Sequence, residues 1–271
     1  MTIRLVLAGC GNMGYAMLSG WLKSGKLAPS AAFVVEPNAD LRNRAAALGC
    51  GTSADAGAIP ADAVPDLVVI AVKPQVIRDV TAAYKRFADG RTTFVSIAAG
   101  TPAATFEEIL GNRAPIVRCM PNTPAAIGKG MMVVFCNRLV SDDTKRFVAN
   151  LLSASGEVAT INDEGLMDAV TAVSGSGPAY IFHFIEALTV AAEKAGLPMA
   201  TAKLLAMQTV YGAASLAAES GEEPGVLRQQ VTSPKGTTAA ALAVLMGEDR
   251  LTNLLTEAVE AARLRSVELG K

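Results

Sequence analysis

The feature that most constrains this chain is the turn Gly9-Cys10-Gly11-Asn12-Met13-Gly14. A short apolar run, residues 3–8, leads into it, and residues 15–24 read as a helix behind it. Three glycines at this spacing, between a buried strand and a helix, are a dinucleotide fingerprint. The first permits the tight turn, the second lets backbone approach a pyrophosphate, and the third lets helix and strand pack closely. The helix start behind the turn offers free N–H groups and a positive dipole end to that pyrophosphate. The spacing alone is a weak sign; its strand–turn–helix context is what gives it weight.

The residues that follow repeat the alternation. Strands are predicted over 32–36, 66–72, 93–98, 115–119, 131–135 and 157–161. Helices are predicted over 39–48, 76–87, 102–110 with Thr101 as cap, and 141–153 with Ser141 as N-cap. Such alternation gives a parallel sheet covered on both faces. From residue 163 onward only helices are predicted, over 164–173, 177–195, 199–219, 236–246 and 250–268. The expected class is therefore α/β: a Rossmann-type doubly wound sheet in residues 1–162, then an all-α region in 163–271. That second region is Ala-rich and apolar around much of its surface. A helical unit of about 110 residues has limited capacity to bury itself, so an interface with another subunit is expected there.

Composition removes several function classes. The 24 basic and 25 acidic residues leave a net charge of −1, and no basic run marks a nucleic-acid surface. No apolar stretch reaches the length of a transmembrane helix, and the apolar start is too short for a signal peptide. Four cysteines without paired spacing suit reduced thiols in a cytoplasmic protein. With a single histidine, His183, a His-based metal site has little to build on, and none is expected.

Three strand ends then fall at one edge of the expected sheet, the carboxyl edge where open α/β sheets bind ligands. Ala71, Val72, Lys73 and Pro74 close the third strand, and Ile97, Ala98 and Ala99 close the fourth. Met120-Pro121-Asn122-Thr123 follows the fifth. Glu36, 22 positions after Gly14, ends the second strand, where an acidic group accepts from the ribose 2′-hydroxyl of NAD. Asn38, Arg42 and Arg44 lie close behind and could instead receive a 2′-phosphate. NADH and NADPH both stay open.

Two hydroxyl-rich turns punctuate the helical half: Ser174-Gly175-Ser176-Gly177-Pro178-Ala179-Tyr180 and Val231-Thr232-Ser233-Pro234-Lys235-Gly236-Thr237-Thr238. Each reads as a helix start offering N–H groups and hydroxyls to a carboxylate, although each would equally serve as a plain N-cap. Together they suggest a small anionic substrate.

With these residues in view, the chain resembles the pyrroline-5-carboxylate reductase family along essentially its whole length. The resemblance rests on GCGNMG (9–14), AVKPQ (71–75), SIAAG (96–100), RCMPNTPA (118–125), DAVTAVSGSGPAY (168–180) and VTSPKGTTAAAL (231–242). It implies reduction of 1-pyrroline-5-carboxylate to L-proline by NADPH or NADH, in a homodimer that often assembles to a decamer. It also implies that the Gly-rich turn, residues 71–74 and residues 97–99 hold the cofactor. Glu164, Ser233, Gly236, Thr237 and Thr238 would line the substrate site, with Thr238 either supplying the proton to the ring nitrogen or orienting an iminium. The chain departs from the family at Lys235, where a second glycine is usual; its side chain is expected to face solvent. His183 is expected to pack or to sit in an interface. A β-hydroxyacid dehydrogenase would need a lysine on the helix after residue 177, and residues 178–190 contain none. A cofactor-binding regulator without turnover would have no use for the second hydroxyl turn.

Overall fold

The computed structural model describes residues 3–270. Eight strands form one sheet: β1 (Leu5–Ala8), β2 (Ala32–Val35), β3 (Gly51–Ser53), β4 (Leu67–Ile70), β5 (Thr93–Ser96), β6 (Ile116–Met120), β7 (Gly130–Cys136) and β8 (Gly156–Thr160). Their order is β3-β2-β1-β4-β5-β6-β7-β8. The order reverses direction beside β1, which makes the β1 edge the topological switch point.

The central strands are short, continuous apolar runs because both of their faces are covered. Leu5 and Leu7 point to one face and Val6 and Ala8 to the other, as a two-residue period requires. The first face is closed by helix α1 (Asn12–Lys23) through Met17, Leu18 and Trp21, and by α5 (Asp142–Leu152) through Val148, Leu151 and Leu152. The second is closed by α3 (Ile77–Ala82) and α4 (Ala103–Leu110), with Ile77, Phe106 and Leu110 beside the buried aromatics Tyr84 and Phe87. Helix α2 (Ala39–Ala46) connects β2 to β3, and the Asn38 side chain caps it by accepting from the Leu41 N–H.

Three sequence expectations need correction here. The sheet is mostly, not wholly, parallel: β7 runs antiparallel to β6. The link between them holds only a 3₁₀ segment, Thr123–Ile127, which is too short for the crossover that a parallel partner needs. Second, α4 is not capped by Thr101. Pro102 occupies the cap position without a side-chain bond, and the Ala103 N–H is met by Glu164 Oε1 at 2.7 Å. Third, the segment after α6 (Met167–Val170) is not an open turn. Thr171–Gly175 is a π-helical turn, and the Ser176 N–H donates to the Thr171 carbonyl at 2.8 Å. The first hydroxyl motif therefore presents no exposed helix start.

The chain divides into two compact units, one running to Ser176 and including Ala262 onward, the other Gly177–Ala261. Secondary-structure type changes near residue 162, whereas packing divides at 176. Within the first unit, the end of α11 (Arg250–Leu269) is held by Ser266, whose hydroxyl donates to Asp168 Oδ1 at 2.6 Å.

The second unit holds α7 (Gly177–Lys194), α8 (Met199–Glu219), α9 (Pro224–Gln230), α10 (Thr237–Met246) and the beginning of α11. Helices α7 and α8 pack on each other, yet α7 buries no residue and α8 buries only Ala202 and Ala206. Phe182, Leu204 and Tyr211 are each more than half exposed. An apolar surface this large on one chain is an interaction surface. Among the described residues, no helix is long and apolar enough to cross a membrane.

Trp21 is fully buried at the centre of the first face. Trp21→Ala is expected to cost about 3–5 kcal/mol, read as a lowered urea midpoint in an equilibrium unfolding curve.

Candidate active site

The Gly-rich turn leaves β1 with its backbone still tied to the sheet. The Gly9 N–H donates to the Val35 carbonyl at 2.8 Å, and the Ala71 N–H to the Ala8 carbonyl at 2.8 Å. Gly9 has φ +90°, and a Cβ there would lie 2.6 Å from the Ala71 carbonyl oxygen. At Gly14 an added Cβ would meet the Gly9 carbonyl oxygen at 2.6 Å. These two positions admit no side chain. A Cβ at Gly11, in contrast, would meet nothing within 4 Å, so this backbone faces open space at the start of α1. A pyrophosphate needs that combination: a tight turn, an accessible backbone and a helix start with free N–H groups. Cys10, Asn12 and Met13 complete the turn.

Glu36 sits at the end of β2, only 7% exposed. Its Oε2 accepts from the Cys10 N–H at 2.7 Å and its Oε1 from the Asn38 N–H at 2.9 Å. On the other side of the same turn, Arg44 donates through Nη2 to the Cys10 carbonyl at 3.2 Å and stacks 3.8 Å from the Tyr15 ring centroid. Arg42 donates through Nη1 to the carbonyls of Glu36 and Pro37. A cavity of about 480 Å³ opens beside Gly9 and Glu36, walled by Val72, Val76, Ala83 and Tyr84. Its size and apolar walls suit the adenosine part of a dinucleotide. Tyr84 and Val76, which help build this wall, carry no sequence signal beyond apolar spacing.

The remaining strand ends join the same edge. The Ile97 N–H donates to the Ile70 carbonyl at 3.2 Å, placing Ile97, Ala98 and Ala99 next to Ala71, Val72, Lys73 and Pro74. At the end of β6, Asn122 Oδ1 accepts from the Met131 N–H at 2.8 Å, and its amide donates to the Ser174 hydroxyl at 3.4 Å. The end of β6 and the π-helical turn are thus in contact.

Glu164 has a structural task beyond the substrate role expected of it. Its Oε1 caps α4 and also accepts from Arg118 Nη1 at 2.7 Å. Arg118 lies within the buried strand β6, its side chain only 6% exposed. A charge in the apolar run Ile116–Met120 demands a partner, and that is the signal by which sequence alone could have found the pair. A small cavity lined by Arg118, Glu164, Asp168 and Gly100 opens beside them.

In the second unit, Ser233 and Gly236 form the turn before α10, and the Gly236 N–H donates to the Ser233 carbonyl at 3.0 Å. Thr237 and Thr238 occupy the first two positions of the helix. N–H groups in the first turn of a helix lack intrahelical partners. Lys235 is exposed and left-handed at φ 59°, a conformation that costs a non-glycine residue about 1 kcal/mol or more. His183 is not packed within its own chain. It is 82% exposed at the side chain and lies 3.2 Å from Glu186 one helical turn on.

Thiol chemistry has no support. Burial pushes Cys10 up to about 11 and Cys119 up to about 12, and it also raises Cys50 and Cys136. Nucleophilic cysteines need the opposite shift. Among the described residues, no group of three or more His, Cys, Asp or Glu could hold a metal ion.

Comparison with known proteins agrees with this geometry. Residues 164–269 match the family model for pyrroline-5-carboxylate reductase dimerisation. Residues 4–100 match a model described as NADP oxidoreductase, coenzyme F420-dependent. The pyrroline-5-carboxylate reductase of Pseudomonas aeruginosa is 41% identical over 271 residues, covering 100% of this chain and 98% of that protein. A pyrroline-5-carboxylate reductase structure from Coxiella burnetii superposes with TM-score 0.91 at 36% identity, covering 100% of both chains. The Plasmodium falciparum pyrroline carboxylate reductase with NADP bound gives TM-score 0.85 at 30% identity, covering 99% of this chain and 98% of that one.

Two variants test the site's framework. Gly9→Ala is expected to abolish measurable dinucleotide binding in a fluorescence titration, because its Cβ would overlap the Ala71 carbonyl. Glu164→Ala would strand the buried Arg118 guanidinium. It should cost about 2–3 kcal/mol in a urea unfolding curve, somewhat below a fully buried pair.

Proposed function

The chain belongs to the pyrroline-5-carboxylate reductase family, and we propose that it reduces 1-pyrroline-5-carboxylate to L-proline with NADH or NADPH, the final step of proline biosynthesis. The observation that carries this reading is the pairing of two elements in one chain. One is a dinucleotide cradle at the switch point of the sheet; the other is the hydroxyl turn that opens α10.

Reduction of a cyclic imine needs a hydride on carbon and a proton on nitrogen. When bound, NAD(P)H supplies the hydride. The chain's own residues bind and orient. The Gly-rich turn of Gly9, Cys10, Gly11, Asn12, Met13 and Gly14 would cradle the pyrophosphate. The N–H groups of Gly9 and Cys10 are already given to the Val35 carbonyl and to Glu36, so those further along the turn would meet it, and Glu36 would face the ribose. Ala71, Val72, Lys73 and Pro74, with Ile97, Ala98 and Ala99, form the small-residue edge along which the cofactor would lie. Orientation of this kind supplies much of the rate enhancement in hydride transfer.

The substrate carboxylate is assigned to the first turn of α10, where Thr237 and Thr238 offer N–H groups at a positive helix end. Ser233 and Gly236 shape that turn. Glu164 already receives two donors on Oε1, so Oε2 is the atom assigned to substrate. The Thr238 hydroxyl is assigned to the ring nitrogen. It either passes on a proton or holds a substrate that arrives protonated, and the pH profile of kcat separates these roles. The functional division follows residues 1–162 for the cofactor and 163–271 for substrate and subunit pairing. The exposed apolar faces of α7 and α8 support a homodimer; further assembly to a decamer and a place in the cytoplasm are proposed with it, from the family resemblance alone.

Purified protein is expected to consume NADH or NADPH when given racemic pyrroline-5-carboxylate, followed by loss of reduced-nicotinamide absorbance. Silence with both cofactors contradicts the reading. Thr238→Ala should lower kcat/KM by at least about tenfold, within the range attributed to positioned acid–base groups. An unchanged value would remove Thr238 from the site.

A further inference from the structure

The neighbourhood of Glu36 carries an inference about which dinucleotide this chain selects; it rests on the reading of the sheet edge as the cofactor site. The Glu36 carboxylate is buried at the end of β2 and locked in place by two backbone N–H groups, from Cys10 and from Asn38. Because both oxygens are held, the carboxylate cannot swing away from an incoming anion without leaving two buried donors unmet. Its position beside the Gly-rich turn is where an adenosine ribose lies in this fold.

The charges around it are arranged against a phosphate. The adjoining cavity is lined by Glu36 and Asp55 and by a single cation, Arg86. Arg86 is already engaged, donating through Nη2 to the Ile59 and Pro60 carbonyls on the far side. The two arginines beside Glu36 each give one nitrogen to backbone carbonyls. Arg42 Nη1 serves the carbonyls of Glu36 and Pro37. Arg44 lies over the Tyr15 ring and donates to the Cys10 carbonyl. Glu36 and Arg44 thereby hold the two peptide groups that flank Cys10, one at its N–H and one at its carbonyl, and this clamp would have to open before that Arg44 nitrogen could turn to a phosphate.

We infer that Glu36 makes this chain selective for NADH over NADPH: its fixed carboxylate accepts from the ribose 2′-hydroxyl and repels a 2′-phosphate. At separations of about 6 Å in a partly solvated site, one carboxylate facing a phosphate amounts to a discrimination of about tenfold or more.

The test reads binding without turnover, so it stands apart from the reductase assignment. Wild-type protein is titrated with NADH and with NADPH in the absence of imine, following nicotinamide fluorescence, and kcat/KM is then compared for the two with pyrroline-5-carboxylate. Tighter NADH binding by at least about tenfold, with the same order in kcat/KM, supports the inference. Equal binding, or tighter NADPH binding, overturns it whether or not the imine is reduced. Glu36→Gln and Glu36→Ala then identify the residue. Each is expected to shrink the NADH preference by raising relative affinity for NADPH. If both variants weaken the two cofactors equally, Glu36 only supports the turn and the inference fails. The wild-type ratio decides even where a variant does not fold.

Discussion

The site depends on the approach of two backbones, the turn after β1 and the end of β4. Gly9 brings the turn against the Ala71 carbonyl, and Gly14 brings α1 against Gly9; neither leaves room for a Cβ. This contact aims the start of α1 along the sheet's carboxyl edge and brings Cys10 within reach of Glu36. It also aligns residues 71–74 beside residues 97–99. Had either glycine carried a side chain, helix and strand would separate, and the cradle, the cavity and the clamp on Cys10 would lose their shared frame.

A second constraint concerns surface. The first unit buries an extensive two-faced core, with aromatics on both sides of the sheet. The second unit does not. Helices α7, α8 and α10 are apolar around much of their surface, and two small alanines are the buried residues of its longest helix. A helix apolar on every side needs covering on every side, and helices of one chain cannot provide it. The match of residues 164–269 to a dimerisation model gives that surface its physical reason.

Much of this was legible from the sequence. Buried strands declare themselves as unbroken apolar runs, and the glycine spacing states its own geometry. The hydroxyl turn before α10 was readable because Ser233, Pro234 and Gly236 cannot continue a helix. What sequence did not reveal depends on contacts between distant residues. β3 is only three residues long and partly exposed, so it has no periodicity to detect. The direction of β7 follows from the shortness of its connection. The residues 174–177 read as a break because Gly and Ser favour turns, yet packing against Met120 and Asn122 keeps Thr171–Gly175 helical with a wider turn. Glu164 looked like a substrate residue and nothing more. Its bonds to Ala103, 61 positions away, and Arg118, 46 positions away, exist only once the sheet is assembled.

Isotope labelling follows hydride transfer to the imine carbon of pyrroline-5-carboxylate atom by atom. The protein is supplied with the imine and with cofactor carrying deuterium at the transferable position of the nicotinamide, and the product is analysed by mass spectrometry and NMR. The expected product is proline with one deuterium, on the ring carbon bonded to nitrogen and remote from the carboxylate. Proline without deuterium, or cofactor consumption without proline, would contradict it.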